Sequence, residues 1–296
     1  SNELFSQCSK TASLRLYERP SHQHFISYLS RVSFDRSNIK CTVNFHDKFV
    51  TVPPDFECVA SGHRSGAPRE LYGEESEGMP DGSKEYVFKA EQPIRYLAAL
   101  LSGFVQVASA EVQLPMSAGA SAQHRIALSV EANPRQRRPA RSLSERAKAI
   151  LSFYTSLIGD VPYESLTVAM VESELPGGHS PAHISMINEP RQASNLLWRR
   201  DPVFFADAPD FFLAHELAHQ WWGQAVGWNN YHEQWLSEGF AQYFAALHAR
   251  HAKGDDVFRG IMRQMRDWAM QQSDQGPVYL GYRLGHIQGD RRIFRA

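Results

Sequence analysis

Two histidines and a glutamate stand inside FFLAHELAHQWWG, residues 211–223, whose other members are mostly Phe, Leu, Ala and Trp. Unpartnered polar groups are costly in such company, so His215, Glu216 and His219 need something to offset their burial. Residues i and i+4 of a helix lie one turn apart on one face, and His215 and His219 can therefore offer both imidazoles to a single ion. This is the H-E-x-x-H arrangement, with Glu216 on the adjoining helix surface. Zinc takes nitrogen ligands in tetrahedral geometry, and a catalytic zinc keeps three protein ligands and one position for water. The third ligand must come from elsewhere. Glu238, nineteen residues after His219 in WLSEGFAQYF, is the candidate. It lies on a second predicted helix, whose Leu236, Phe240, Phe244 and Leu247 are expected to face the core, and two histidines with a glutamate form a known catalytic zinc set.

The chemistry of this set is amide hydrolysis with one zinc per chain and no covalent acyl-enzyme. Zinc lowers the pKa of bound water from about 15.7 towards about 7 and polarises a carbonyl. Glu216, left free of the metal, would take the water's proton and return it to the leaving amine.

The elements that must position these residues fall into two regions. Alternating apolar runs in CTVNFHDKFVTV (41–52), FVQVASAEVQL (104–114) and HRIALSVEA (124–132) read as strands, and SGHRSGAPRELYGEESEGMPDGSK (61–84) reads as a loop. Near residue 140 the character changes. Ser142 and Glu145 form a capping box, followed by Leu143, Ala147, Ile150, Leu151, Tyr154 and Ile158 at helical spacing, until Gly159 stops the helix. Strands are expected at 166–172 and 183–187, and helices at about 210–223, 233–252 and 255–272, with Asp210 and Asp255 as N-caps and Gly254 as a terminator. The pattern predicts an α+β multidomain chain. A β-rich domain occupies 1–139 and a catalytic domain, with a mixed sheet and zinc-bearing helices, occupies 140–296.

Composition excludes several partners. The 296 residues are 43% hydrophobic and 21% charged with a formal net charge of -1, so neither nucleic acid nor an anionic membrane is expected as a partner. RQRRPAR (135–141) reads as a solvated linker. No run of about eighteen apolar residues marks a transmembrane helix. Cys8, Cys41 and Cys58 lack metal-site spacing; a Cys41–Cys58 disulfide and buried free thiols both stay open. The opening SNELF reads as an interior start carrying an expression scar, and so leaves cellular location undetermined.

LAHELAHQWWG, followed after eighteen intervening residues by a Glu within WLSEGFAQYF, resembles the gluzincin zinc aminopeptidases typified by aminopeptidase N, of which the chain looks like a fragment. The resemblance covers about residues 84–296, with PIRYLAALLSGFVQV similar to the closing strands of that family's N-terminal β domain and 140 onward similar to its thermolysin-like catalytic domain. It implies zinc on His215, His219 and Glu238, Glu216 as general base, and a peptide as substrate.

Three departures accompany it. The family carries a G-A-M-E-N strand whose Glu holds the substrate's free α-amine; here PGGHSPAHISMIN (176–188) aligns Gly178 with a Gly and puts Pro181 about where the Glu belongs. Gly177, Gly178 and His179 are the substrate-binding candidates of this stretch, although His179 and His183 read as ordinary loop residues rather than substitutes for the amine anchor. The family's oxyanion-stabilising Tyr would fall just past Ala296, with Tyr279 and Tyr282 read as packing residues. The family's early amine-binding motif has no match in residues 1–83. Two alternatives to an aminopeptidase follow: a peptide-binding or scaffold module that keeps the metal and turns over little, and an endopeptidase lacking the amine anchor.

Overall fold

The computed structural model describes residues 15–18, 24–27, 40–43, 47–76, 78–92, 94–114, 125–173, 177–190, 204–230, 233–271 and 273–279. Its strands form three sheets. The first is antiparallel, in the order β1 (Arg15–Glu18), β2 (His24–Ser27), β9 (Ala98–Ser102), β5 (Glu57–Ala60). The second runs β3 (Lys40–Val43), β4 (Asp47–Val52), β8 (Ser83–Lys89), β6 (His63–Arg64), with β7 (Arg69–Leu71) also on β8. The third is mixed: β10 (Val105–Gln113) lies antiparallel to β11 (Arg125–Ala132), β11 parallel to β12 (Ser165–Ser173), β12 parallel to β14 (Ile184–Pro190), and β13 (Gly177–His179) closes the edge antiparallel to β14.

Strand β9 explains how the sheets stack. Successive side chains of a strand face opposite ways, and all five residues of AALLS are buried because both faces are covered. Ala99 and Leu101 pack with Val50, Val52, Tyr86 and Phe88 of the second sheet. Ala98 and Leu100 pack with Ala169, Val171 and Ile184 of the third. The other face of the third sheet presents Leu128, Val130, Val168 and Met170 to the helices α1 (Arg137–Ile158), α2 (Phe211–Ala218), α3 (Gln234–Lys253) and α4 (Asp255–Gln271). The chain is thus an α+β fold, and its third sheet runs across residue 140: β10 and β11, on the N-terminal side of that division, pair into the sheet that carries β12 to β14.

Several sequence expectations are corrected. The capping box at Ser142 does not start α1; RQRRPAR is a 3₁₀ turn and the first turns of the helix, which begins at Arg137. Gly159 does end it, at φ 79°, with its N–H donated to Thr155. The 61–84 stretch contains β6, β7 and a 3₁₀ turn besides its loops. Residues 41–52 are a pair of antiparallel strands, not one. Asp210 precedes α2 but makes no capping bond; its Oδ1 accepts from Arg146 Nη1 at 3.0 Å. The largest correction is on α3. Of the four residues expected to face the core, Phe244 packs against it, but Leu236 and Phe240 are 36% and 45% exposed, and the buried side is Ser237, Glu238, Ala241, Gln242, Ala245, Ala246, His248 and Ala249. Cys58 is buried, and the Cys41 side chain, with it the Cys41–Cys58 bridge, lies outside the described residues. Tyr279 is 52% exposed, outside the core. Cys8 and Tyr282 lie outside the described residues.

Candidate metal centre and its cleft

Helix α2 is one turn shorter than its sequence pattern. It ends at Ala218, so His219 sits at the C-cap, still at helical φ −61° and ψ −19°. That keeps its imidazole on the face of His215, and the two Nε2 atoms lie 3.1 Å apart. Glu238, from the first turns of α3, brings Oε2 to 3.4 Å from both. Four ligands placed tetrahedrally on zinc at about 2.0–2.2 Å stand about 3.3–3.6 Å from one another; the two Glu238 distances of 3.4 Å fall within that span, and the 3.1 Å between the imidazoles lies just below it. Among the described residues, His215, His219 and Glu238 are the one group of three or more His, Cys, Asp or Glu residues able to hold a metal ion.

Their surroundings fit the same role. His219 Nδ1–H donates to the Trp222 carbonyl oxygen at 3.0 Å, which fixes the tautomer and leaves the Nε2 lone pair facing Glu238. Glu238 Oε2 is buried without a hydrogen-bond donor, an orphan that a cation would satisfy. Burial alone would lower the His219 pKa, but the Glu238 carboxylate overrides it and raises it to about 9. Burial works against the Glu238 charge too, and the two imidazoles hold its carboxyl well below the usual range.

Glu216 points from α2 towards the edge of the third sheet. Ser180 Oγ donates to its Oε2 at 2.7 Å. Burial raises the Glu216 pKa, against the pull of both imidazoles. Gly178 of β13 passes directly beneath: a Cβ there would lie 2.5 Å from Glu216 Cδ. The hairpin of β13 and β14 is tied to the end of α2 by the buried Gln220, whose Nε2 donates to the Pro181 and Ile184 carbonyls and whose Oε1 accepts from the His183 N–H.

The three residues and Glu216 line a cleft of about 330 Å³, together with Gly177, Gly178, His179, Ser180 and Tyr96. His179 is therefore no loop residue: it belongs to edge strand β13, with Nε2 3.0 Å from the Tyr96 hydroxyl, which also accepts from Gln224 Nε2 at 3.3 Å. Burial, aided by His219, pushes its imidazole down to about 4 and keeps it neutral. His183 is elsewhere, with Nδ1 3.1 Å from the Ser165 carbonyl. Pro181 does not line the cleft; Ser180 does. Tyr96, Ser180, Gln224 and Trp228 escaped the sequence reading, because none has a motif spacing to the H-E-x-x-H stretch. Tyr96 and Arg95 reach the site from just before β9: the Arg95 guanidinium lies 3.6 Å over the Trp228 ring, and its Nη1 donates to the Gly223 carbonyl at 3.2 Å.

The chain is similar to known proteins over parts of its length. The peptidase family M1 domain matches residues 210–276. Aminopeptidase O of Homo sapiens is 27% identical over 136 residues, 45% of this chain and 14% of that protein. Glutamyl aminopeptidase of Rattus norvegicus is 39% identical over 66 residues, 21% of this chain and 7% of that protein. The matches thus span only a small part of each relative's length. Among solved structures, a variant of a two-domain M1 zinc metallopeptidase bound to L-tryptophan aligns with 88% of this chain and 52% of its own at 19% identity and a TM-score of 0.53. An M1 zinc metallopeptidase from Deinococcus radiodurans aligns with 84% of this chain and 50% of its own at 18% identity and a TM-score of 0.50. At these identities the structural likeness is one of fold. Over residues 210–276 the chain is thus similar to the peptidase family M1 domain, and over parts of its length it is similar to aminopeptidases.

Proposed function

We propose that the chain is the zinc-binding part of a metallopeptidase of the aminopeptidase N type, with residues 140–296 as a thermolysin-like catalytic unit and one zinc held by His215, His219 and Glu238. The observation that carries the reading is the convergence of the three ligand atoms, 3.1 and 3.4 Å apart, beside a fourth buried group, Glu216, that takes no part in the cluster. Zinc bound there would supply Lewis acidity and a water of lowered pKa. Glu216 does the proton work: its carboxylate takes a proton from the attacking water and hands it to the leaving amine. Ser180, donating to one carboxylate oxygen, holds Glu216 in place for both transfers. Among the described residues strand β13 terminates its sheet, so its second edge could pair with an extended peptide, and Gly177, Gly178 and His179 would line that peptide's path.

The expected outcomes are about one zinc per chain, loss of zinc in His215→Ala and Glu238→Ala, and loss of hydrolysis with zinc retained in Glu216→Gln. A folded protein without affinity for zinc would end the reading. A second reading is favoured by the wall around His179, which offers a neutral imidazole, a phenol and an amide where a free α-ammonium would need a carboxylate. Such a wall suits an endopeptidase or a slow peptide binder. Free and N-acetylated peptides separate the cases: preference for the free amine marks an aminopeptidase, equal cleavage an endopeptidase, and tight binding without cleavage a binding module.

A further inference from the structure

A second cavity, of about 390 Å³, opens where the first two sheets meet the third. Among the described residues it shares no lining residue with the metal-centre cleft. The cavity lies over β10, β11 and β12, at the end of the third sheet opposite β13. Two of its lining groups carry opposite charges, and one of them has a buried atom without a partner. Glu131 is 7% exposed; Ser129 Oγ donates to its Oε1 at 3.1 Å, and among the described residues no cation contacts it. Arg64 lies with its guanidinium carbon 4.8 Å over the Tyr86 ring, and its buried Nε has no hydrogen-bond partner.

A buried carboxylate without a contacting cation and a buried guanidinium N–H without an acceptor are each costly. Arg64 and Glu131 line the same cavity without forming an ion pair, so the space between them is the place where both deficits can be met. One small molecule does so when it carries an anion and a cation a few atoms apart. We propose that this cavity is a second binding site for a zwitterion of the α-amino acid class, with its carboxylate on Arg64, its ammonium on Glu131 and an apolar side chain against Val59 and Phe88. Burial raises the Glu131 pKa, opposed by its Ser129 hydrogen bond and by Arg64, and a ligand ammonium would hold the carboxylate ionised. The site does not depend on the peptidase reading, because its residues and its ligand contacts are separate from the metal centre.

The test is calorimetric titration of L-leucine into the zinc-stripped protein, where binding at the metal is removed. Saturable binding is expected, weakened about tenfold or more for N-acetyl-L-leucine, which lacks the ammonium, and for L-leucinamide, which lacks the carboxylate. Glu131→Gln and Arg64→Gln should each weaken L-leucine by about as much. Ser109→Trp at the exposed rim should block entry without altering either charge, and so serves even if a buried substitution fails to fold. Three results overturn the site: no binding up to about 10 mM, binding that needs zinc, or binding indifferent to Ser109→Trp and to the loss of either ligand charge.

Discussion

Gly178 is an ordinary extended residue in its dihedrals; what it lacks is a side chain, and the space is taken by Glu216. A Cβ at 2.5 Å from Cδ and 2.7 Å from Oε1 cannot be accommodated unless the carboxylate moves. Gly178→Ala should therefore keep the fold and the zinc, because the three ligands are untouched, while shifting the base. A displacement of about 1 Å at a reacting group costs about a hundredfold in rate, so kcat should fall by that order at unchanged zinc content. Normal turnover in this variant would mean that Glu216 is not the base. At this scale His215, Glu216, His219 and Glu238 were legible because a helix converts fixed spacing into a shared face. Ser180 and Tyr96 were not. They reach the site through a hairpin and through a contact spanning 83 positions, neither of which leaves a local pattern.

At the scale of elements, α3 shows why the second helix was readable in extent but not in phase. Leu236, Phe240 and Tyr243 are exposed although apolar, Phe244 alone of the expected Phe pair packs against the core, and Phe240 stacks on Trp222 at 4.8 Å between ring centroids. The buried side is built from Ala241, Ala245, Ala246 and Ala249 with the polar Ser237, Glu238 and Gln242. Small residues let two backbones approach, and here that approach brings a carboxylate from α3 to imidazoles on α2. Apolar periodicity weighs Phe above Ala, so it misplaces the first turns of the helix, Leu236 and Phe240, where a site rather than a dry core occupies the buried face, while Phe244 does pack inward. Ala241 stands three residues beyond Glu238 on that face and is fully buried. Ala241→Leu overpacks it at a cost of about 1–3 kcal/mol and pushes Glu238 away from the histidines. A lowered melting temperature together with weaker zinc affinity is expected. Unchanged zinc affinity in a folded variant would show that the closeness of the two helices does not set the ligand geometry.

For the whole molecule, the helical and strand content near the site was visible in the sequence, but the way the sheets join was not. Strand β9 is apolar on both faces because it is covered twice, and residue 140 falls inside α1, which connects β11 to β12 of one sheet. His183 stands near this joint at φ 67°, a conformation unusual for a residue with a side chain. Its ring lies 4.4 Å from that of Tyr163 between centroids, and its Nε2 is buried without a partner. Burial first, and then the charge of Lys48, push its pKa down from 6.5 to about 4, with a hydrogen bond to the Ser165 backbone acting the other way. The unfolded chain therefore binds the proton more readily than the folded one. The neutral ring's contribution is fully present above about pH 6.5 and is lost as the pH falls towards 4, by up to about 3 kcal/mol. His183→Asn removes the titration while tolerating the positive φ. It should be less stable than the parent at pH 7 for want of the ring packing, and its acid sensitivity should be smaller. The difference in unfolding free energy between the two proteins, measured in urea, should shrink by up to about 3 kcal/mol between pH 7 and pH 4. Other titrating groups are common to both proteins and cancel, so a constant difference across that range would mean that the His183 ring is protonated as easily in the folded joint as in water.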